Sequence, residues 1–152
     1  MNISAGTYIW LSIVAGIIGT TGMTLFLYVV TKSDVANADM VKAIGSLFTK
    51  SLQSATGVGL VIHFISGIIF AFFYILAISA FQVQGFLSNV GAGLLIGFIH
   101  GAVVSFLLVA SVAEHHPLPQ FQKAGFSVAA AHWIAHLIYG LLIGIVIGMT
   151  MF

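Results

Sequence analysis

The sequence predicts an all-α fold, a four-transmembrane-helix bundle with up-down connectivity. Three observations predict it. Hydrophobic residues make up 61% of the chain and charged residues only 5%, a balance outside the range of soluble domains. Four uncharged apolar stretches, 8–30, 58–81, 90–112 and 126–150, each exceed the roughly 20 residues a helix needs to cross the hydrocarbon core. Every formal charge falls in the segments joining the first stretch to the second and the third to the fourth. Lone strands cannot satisfy their backbone in lipid, so the stretches read as helices within one membrane domain, 1–152.

The first span, 8–30, resembles a signal peptide because Ala36, Asn37 and Ala38 imitate a cleavage site. It lacks a basic leader and is too long for that role, so it reads as a span. Tyr8 and Trp10 at one end and Tyr28 at the other fit interfacial aromatic belts. After it come Lys32, Asp34, Asp39, Lys42 and Lys50. Within 39–54, Met40, Val41, Ile44, Leu47 and Phe48 recur at helical spacing. The segment is expected to be an interfacial amphipathic helix or an extension of the second span. The loop 82–89 carries no charge, whereas 111–125 holds Glu114, His115, His116 and Lys123. Pro117 and Pro119 end the third helix there. Glu114, near a helix C-terminus, calls for a cationic partner. With all four lysines on one side, the positive-inside rule puts both charged loops in the cytoplasm and both termini outside.

A weak internal repeat aligns HFISGIIFA, 63–71, with HLIYGLLIG, 136–144, and reads as a duplicated helical hairpin. The second and fourth spans are then diagonal partners, with His63 and His136 at equivalent depth. Small residues recur every fourth position: Ser12, Gly16, Thr20 and Thr24; Gly59, Gly67 and Ala71 flanking His63; Gly93, Gly97, Gly101 and Ser105; Gly140, Gly144 and Gly148 following His132 and His136. Such stripes let helices approach closely. They also leave space for a flat ligand such as a haem or quinone.

All six histidines fall in the half of the bundle nearer the charged loops or close to the midplane, with His100 deeper than His136. Imidazole binds zinc, copper and iron, and His132 and His136 stand four residues apart, a spacing that can share one ion. His63 or His100 would complete such a site. Glu114, His115 and His116 are further candidates at the mouth. Alternatively, His63 and His136 are trans-axial ligands of a single haem b. The competing reading makes each histidine a packing contact, hydrogen-bonded to Thr20, Thr21, Thr24, Ser66 or Tyr139.

Several classes are excluded. The chain has no cysteine, so thiolate chemistry is absent. A net charge of +1 without a basic run argues against nucleic acid as a partner. No span carries a carboxylate, and no nucleotide or hydrolase motif occurs, so an enzyme would depend on a cofactor or on histidines alone.

Gly19, Thr21, Met23 and Thr24 in the first span, with His136, Tyr139 and Gly140 in the last, carry a resemblance. It is to small bacterial four-span membrane proteins of uncharacterised function. The resemblance implies a four-helix fold in a bacterial inner membrane and carries no activity. The expected function is a small binding protein with a His-lined intramembrane site for a metal ion (Zn, Cu or Fe) or one haem, as an accessory or electron-transfer subunit. Alternatives are a cofactor-free subunit stabilising a larger membrane complex or a homo-oligomer, and a metal or proton conduit.

Overall fold

A computed structural model describes residues 4–150, and helix is the only regular structure among them. Helix α1, Ala5–Lys32, starts where the Ser4 hydroxyl accepts a hydrogen bond from the Thr7 amide at 3.2 Å. Helix α2, Met40–Thr49, is capped by Asp39, whose carboxylate accepts from the Lys42 amide at 3.0 Å. The same pair forms an ion pair of 3.3 Å. Helices α3, Leu52–Ala80, and α4, Phe86–Leu107, follow. A π-helical stretch, Leu108–Val112, carries α4 into the short α5, Ala113–His115. The turn α6, Pro119–Gln122, leads to α7, Phe126–Thr150. Helices α1, α3, α4 and α7 are each long and apolar enough to cross a membrane.

The distribution of side chains matches a protein solvated by lipid. The buried positions of α4 are Asn89, Gly93, Gly97, Gly101 and Ser105. Its exposed face instead carries Leu95, Phe98, Ile99, Val103 and Phe106. Large apolar groups face outward because lipid accommodates them, while small groups bring backbones together inside. The four-residue stripes are thus the inward faces, and the chain is a multi-pass membrane protein.

Around the bundle, α3 packs on α1, α1 on α7, and α7 on α4, but α3 and α4 scarcely touch. The second and fourth spans are diagonal, as the repeat requires. The repeat's symmetry is broken, however. A twofold axis would reproduce the α1–α7 packing between α3 and α4, and there the bundle opens instead. The α4–α7 seam is the tightest because glycines oppose glycines. A Cβ on Gly93 would lie 2.3 Å from the Gly140 oxygen, and one on Gly140 would lie 2.3 Å from the Gly93 oxygen.

Two local expectations change. The helix expected over 39–54 ends at Thr49, because Lys50 adopts a left-handed conformation with φ 52° and Ser51 is extended. Residues 52–54 belong to α3, and α2 folds back along its first turns, with Gly45 and Gly59 in backbone contact. The third helix contains a π-helical stretch that apolar periodicity cannot reveal.

Across the bundle, the Tyr139 hydroxyl donates to the Gly67 carbonyl at 2.5 Å, tying α7 to α3. Tyr139→Phe is expected to lower stability by about 0.6–1.5 kcal/mol, read as a reduced thermal midpoint in detergent. The cost is modest because a helical carbonyl keeps its own helix partner.

Candidate functional site

A cavity of about 190 Å³ occupies the gap where α3 and α4 fail to meet. His63 of α3, His100 of α4 and His136 of α7 line it, with Met23 of α1 and Met40 of α2. Five helices thus contribute to one small space.

Local packing sets each imidazole. His136 is held by the glycines of α4: a Cβ on Gly101 would lie 2.6 Å from the His136 Cβ, and one on Gly97 would lie 2.6 Å from its carbonyl oxygen. Its Nδ1 stands 2.7 Å from the His132 carbonyl. A carbonyl only accepts, so Nδ1 carries the proton and the neutral ring keeps its lone pair on Nε2. His100 lies beside it, ring centroids 4.8 Å apart and nearly perpendicular. The His100 Nδ1 shares a 3.0 Å hydrogen bond with the Tyr74 hydroxyl, and its Nε2 is buried without a partner in the protein. His63 is 8% exposed, and its Nε2 is likewise buried and unpartnered. Leaving such atoms unpaired in an apolar interior is costly, and among the described residues Thr20, Ser79, Asn89, Ser105 and His132 each bury one as well.

Three of the five expected packing partners are occupied elsewhere, whereas the Thr20 hydroxyl is buried without a partner among the described residues and Ser66 lines the cavity. Thr21 and Thr24 bond back to the carbonyls of Ile17 and Thr20, and Tyr139 bonds to Gly67. Among the described residues, the histidine of the spans that bonds to a side-chain hydroxyl is His100, through Tyr74.

Two features of the histidine geometry differ from the sequence expectation. The near neighbour of His136 is His100 rather than its repeat counterpart His63, because α4 packs directly on α7 whereas α3 is diagonal. His100 is therefore level with His136, not a turn deeper. His132 and His136 do not address one space. His132 lines a separate void of about 30 Å³ with Met40, Val128 and Phe121, its Nδ1 2.7 Å from the Val128 carbonyl. Among the described residues no three His, Asp or Glu side chains group closely enough to hold a metal ion.

The mouth residues separate as well. Glu114 and His115 are exposed, and the ion pair expected for Glu114 is absent among the described residues, where Lys42 and Asp39 form the one pair. His116 is only 1% exposed and fully engaged. Its Nε2 is 3.1 Å from the Ala43 carbonyl, its Nδ1 accepts from the Leu118 amide at 3.0 Å, and its ring packs edge-on to Phe121. It pins the α5–α6 loop to α2. His116→Ala orphans the Leu118 amide and is expected to cost about 1–3 kcal/mol, read as faster tryptic cleavage at the exposed Lys123.

A second, larger cavity of about 650 Å³ opens at the charged end, with Thr24, Thr31, Lys32, Asp34, Asp39 and Lys42 on its walls. His63 and Met40 line both cavities. Sequence reasoning missed Met40 and Tyr74 as site residues, and Met23 entered only through a resemblance. A methionine in an apolar sequence carries no signal, and Tyr74 lies 26 positions from the histidine it meets.

No protein-family model, curated protein or solved structure matches the chain. The two stretches behind the resemblance to small bacterial four-span proteins do meet in space. A Cβ on Gly19 would lie 2.8 Å from the Tyr139 ring, and Met23 lines the cavity beside His136.

Proposed function

We propose that the chain is a small membrane protein that binds one transition-metal ion in the cavity between α3, α4 and α7. The observation that carries this reading is the convergence of His63, His100 and His136 from three spans on one cavity. His136 has its lone pair on Nε2, and His63 and His100 have Nε2 atoms without protein partners. A backbone carbonyl holding Nδ1–H while Nε2 stays free is the usual preparation of an imidazole ligand. Because no three His, Asp or Glu side chains among the described residues group closely enough to hold an ion by themselves, His100 and His136 supply the core of the site, and His63 lines the same cavity.

A bare ion suits this space better than a haem. A cavity of about 190 Å³ falls below the roughly 300–1,000 Å³ typical of drug-sized ligands, and a porphyrin is larger than those. We place the charged end in the cytoplasm of a bacterial inner membrane, following the one-sided lysines. An accessory role beside larger membrane subunits fits a chain with no acid–base pair in its spans.

The purified protein's metal content and visible spectrum test the reading. One ion per chain is expected after loading, lost in His100→Ala/His136→Ala while the elution volume and helicity are kept. A folded protein that takes up no ion overturns it and leaves the cofactor-free subunit. A Soret band in place of a bare ion would assign the cavity to haem b.

A further inference from the structure

The geometry points to cuprous copper as the ion of this cavity, held by the thioethers of Met23 and Met40 together with His136 and its neighbour His100. This rests on the metal-binding reading above and names the ion.

Four observations converge on it. First, the donors are soft. The chain has five methionines and no cysteine, and two of the five, Met23 and Met40, line the cavity that three histidines line. Both are nearly buried, at 4% and 6% exposure. Thioether and imidazole together select Cu(I) among first-row ions. Second, the hard donors are too few. Zinc takes a tetrahedral set of thiolate, imidazole or carboxylate ligands, and no three His, Asp or Glu side chains group closely enough among the described residues. Cu(I) accepts a trigonal or a tetrahedral set of neutral soft donors, and two imidazoles with one or two thioethers supply three or four.

Third, the charge fits. No carboxylate lies in any span, and every donor around the cavity is neutral. The cost of burying an ion rises with the square of its charge, so a monovalent ion is far less penalised here than a divalent one. Neutral ligands leave a divalent ion with its full charge in a low-dielectric space. Fourth, there is a route. Met40 and His63 stand on the wall common to the inner cavity and the larger cavity at the charged end, where Asp34 and Asp39 are found. An ion arriving at that end meets first a vestibule in which Asp34 and Asp39 stand with Lys32 and Lys42, Asp39 paired with Lys42, and then the thioether and imidazole wall.

The test is anaerobic titration of the detergent-purified full chain with Cu(I) against a chromophoric Cu(I) chelator, with Zn(II) in parallel. X-ray absorption on the copper-loaded wild type accompanies it. One Cu(I) per chain is expected, with sulfur as well as nitrogen in its first shell, and little Zn(II) uptake. Met23→Leu/Met40→Leu keeps side-chain volume and is expected to weaken Cu(I) by about tenfold or more with the elution volume unchanged. Binding through nitrogen alone, with Zn(II) equally retained, would overturn the cuprous assignment and leave the metal-binding reading standing. A folded chain that takes up neither ion overturns both. The wild-type absorption spectrum decides the ligand question even where the double variant does not fold.

Discussion

Gly140→Leu is expected to leave no folded four-span bundle. A Cβ at this position would lie 2.3 Å from the Gly93 oxygen and 2.9 Å from the Gly97 Cα, so backbone meets backbone. No side chain can rotate away to make room. Overpacking an ordinary core costs about 1–3 kcal/mol. Here the only relief is to separate α4 from α7, and that separation propagates along the Gly93, Gly97 and Gly101 seam. The indole N–H of Trp133, which donates to the Phe98 carbonyl at 2.9 Å, would lose its acceptor. The His100–His136 pair would part with it. Gly91→Leu is the control, because nothing lies within 4 Å of a Cβ there. Size exclusion and thermal unfolding in detergent should show aggregation for Gly140→Leu and near wild-type behaviour for Gly91→Leu. Equal stability of the two variants would mean that α4 and α7 are not packed as described.

Gly45→Val is expected to release α2 while the four spans remain assembled. A Cβ on Gly45 would lie 1.9 Å from the Ala55 oxygen, and one on Gly59 would lie 1.9 Å from the Val41 oxygen. The α2–α3 contact is therefore as intolerant of side chains as the α4–α7 seam. Its failure has a different consequence. Helix α2 is only ten residues long and sits outside the ring of spans, so the bundle core survives its loss. What leaves is Met40, with the wall it forms for both cavities. On the metal-binding proposal, ion affinity is expected to fall by about tenfold or more, equivalent to about 1.4 kcal/mol. Tryptic cleavage at Lys42 and Lys50 should accelerate, since both exposed lysines then sit in a mobile segment. Gly57→Val, where nothing lies within 4 Å, is the matched control. Unchanged metal affinity in a variant whose α2 is demonstrably released would remove α2 from the site.

The inward face of each span was legible because burial follows small residues at four-residue spacing, a local pattern. Ser12, Gly16 and Thr20, and Gly59, His63 and Gly67, are buried as their stripes predict, whereas Thr24 at the end of the first stripe is only half-buried. The break between α2 and α3 was not legible, because Lys50 adopts a left-handed conformation that its residue type does not advertise. Nor was the division of the histidines. His132 and His136 share a helix face, yet the chain that packs over each differs: Met40 and Phe121 approach His132, whereas α4 covers His136.

The amino-acid sequence by itself determined that this is a four-helix membrane protein, which side of each helix turns inward, and that the charges gather at one end. These follow from hydropathy and periodicity, which act within a helix. Only the tertiary structure decided that His100 pairs with His136, that two methionines join them, and that α3 and α4 stand apart to leave a cavity. Those outcomes depend on which glycine seam closes against which, a contact between backbones far apart in sequence that no pattern within one helix encodes.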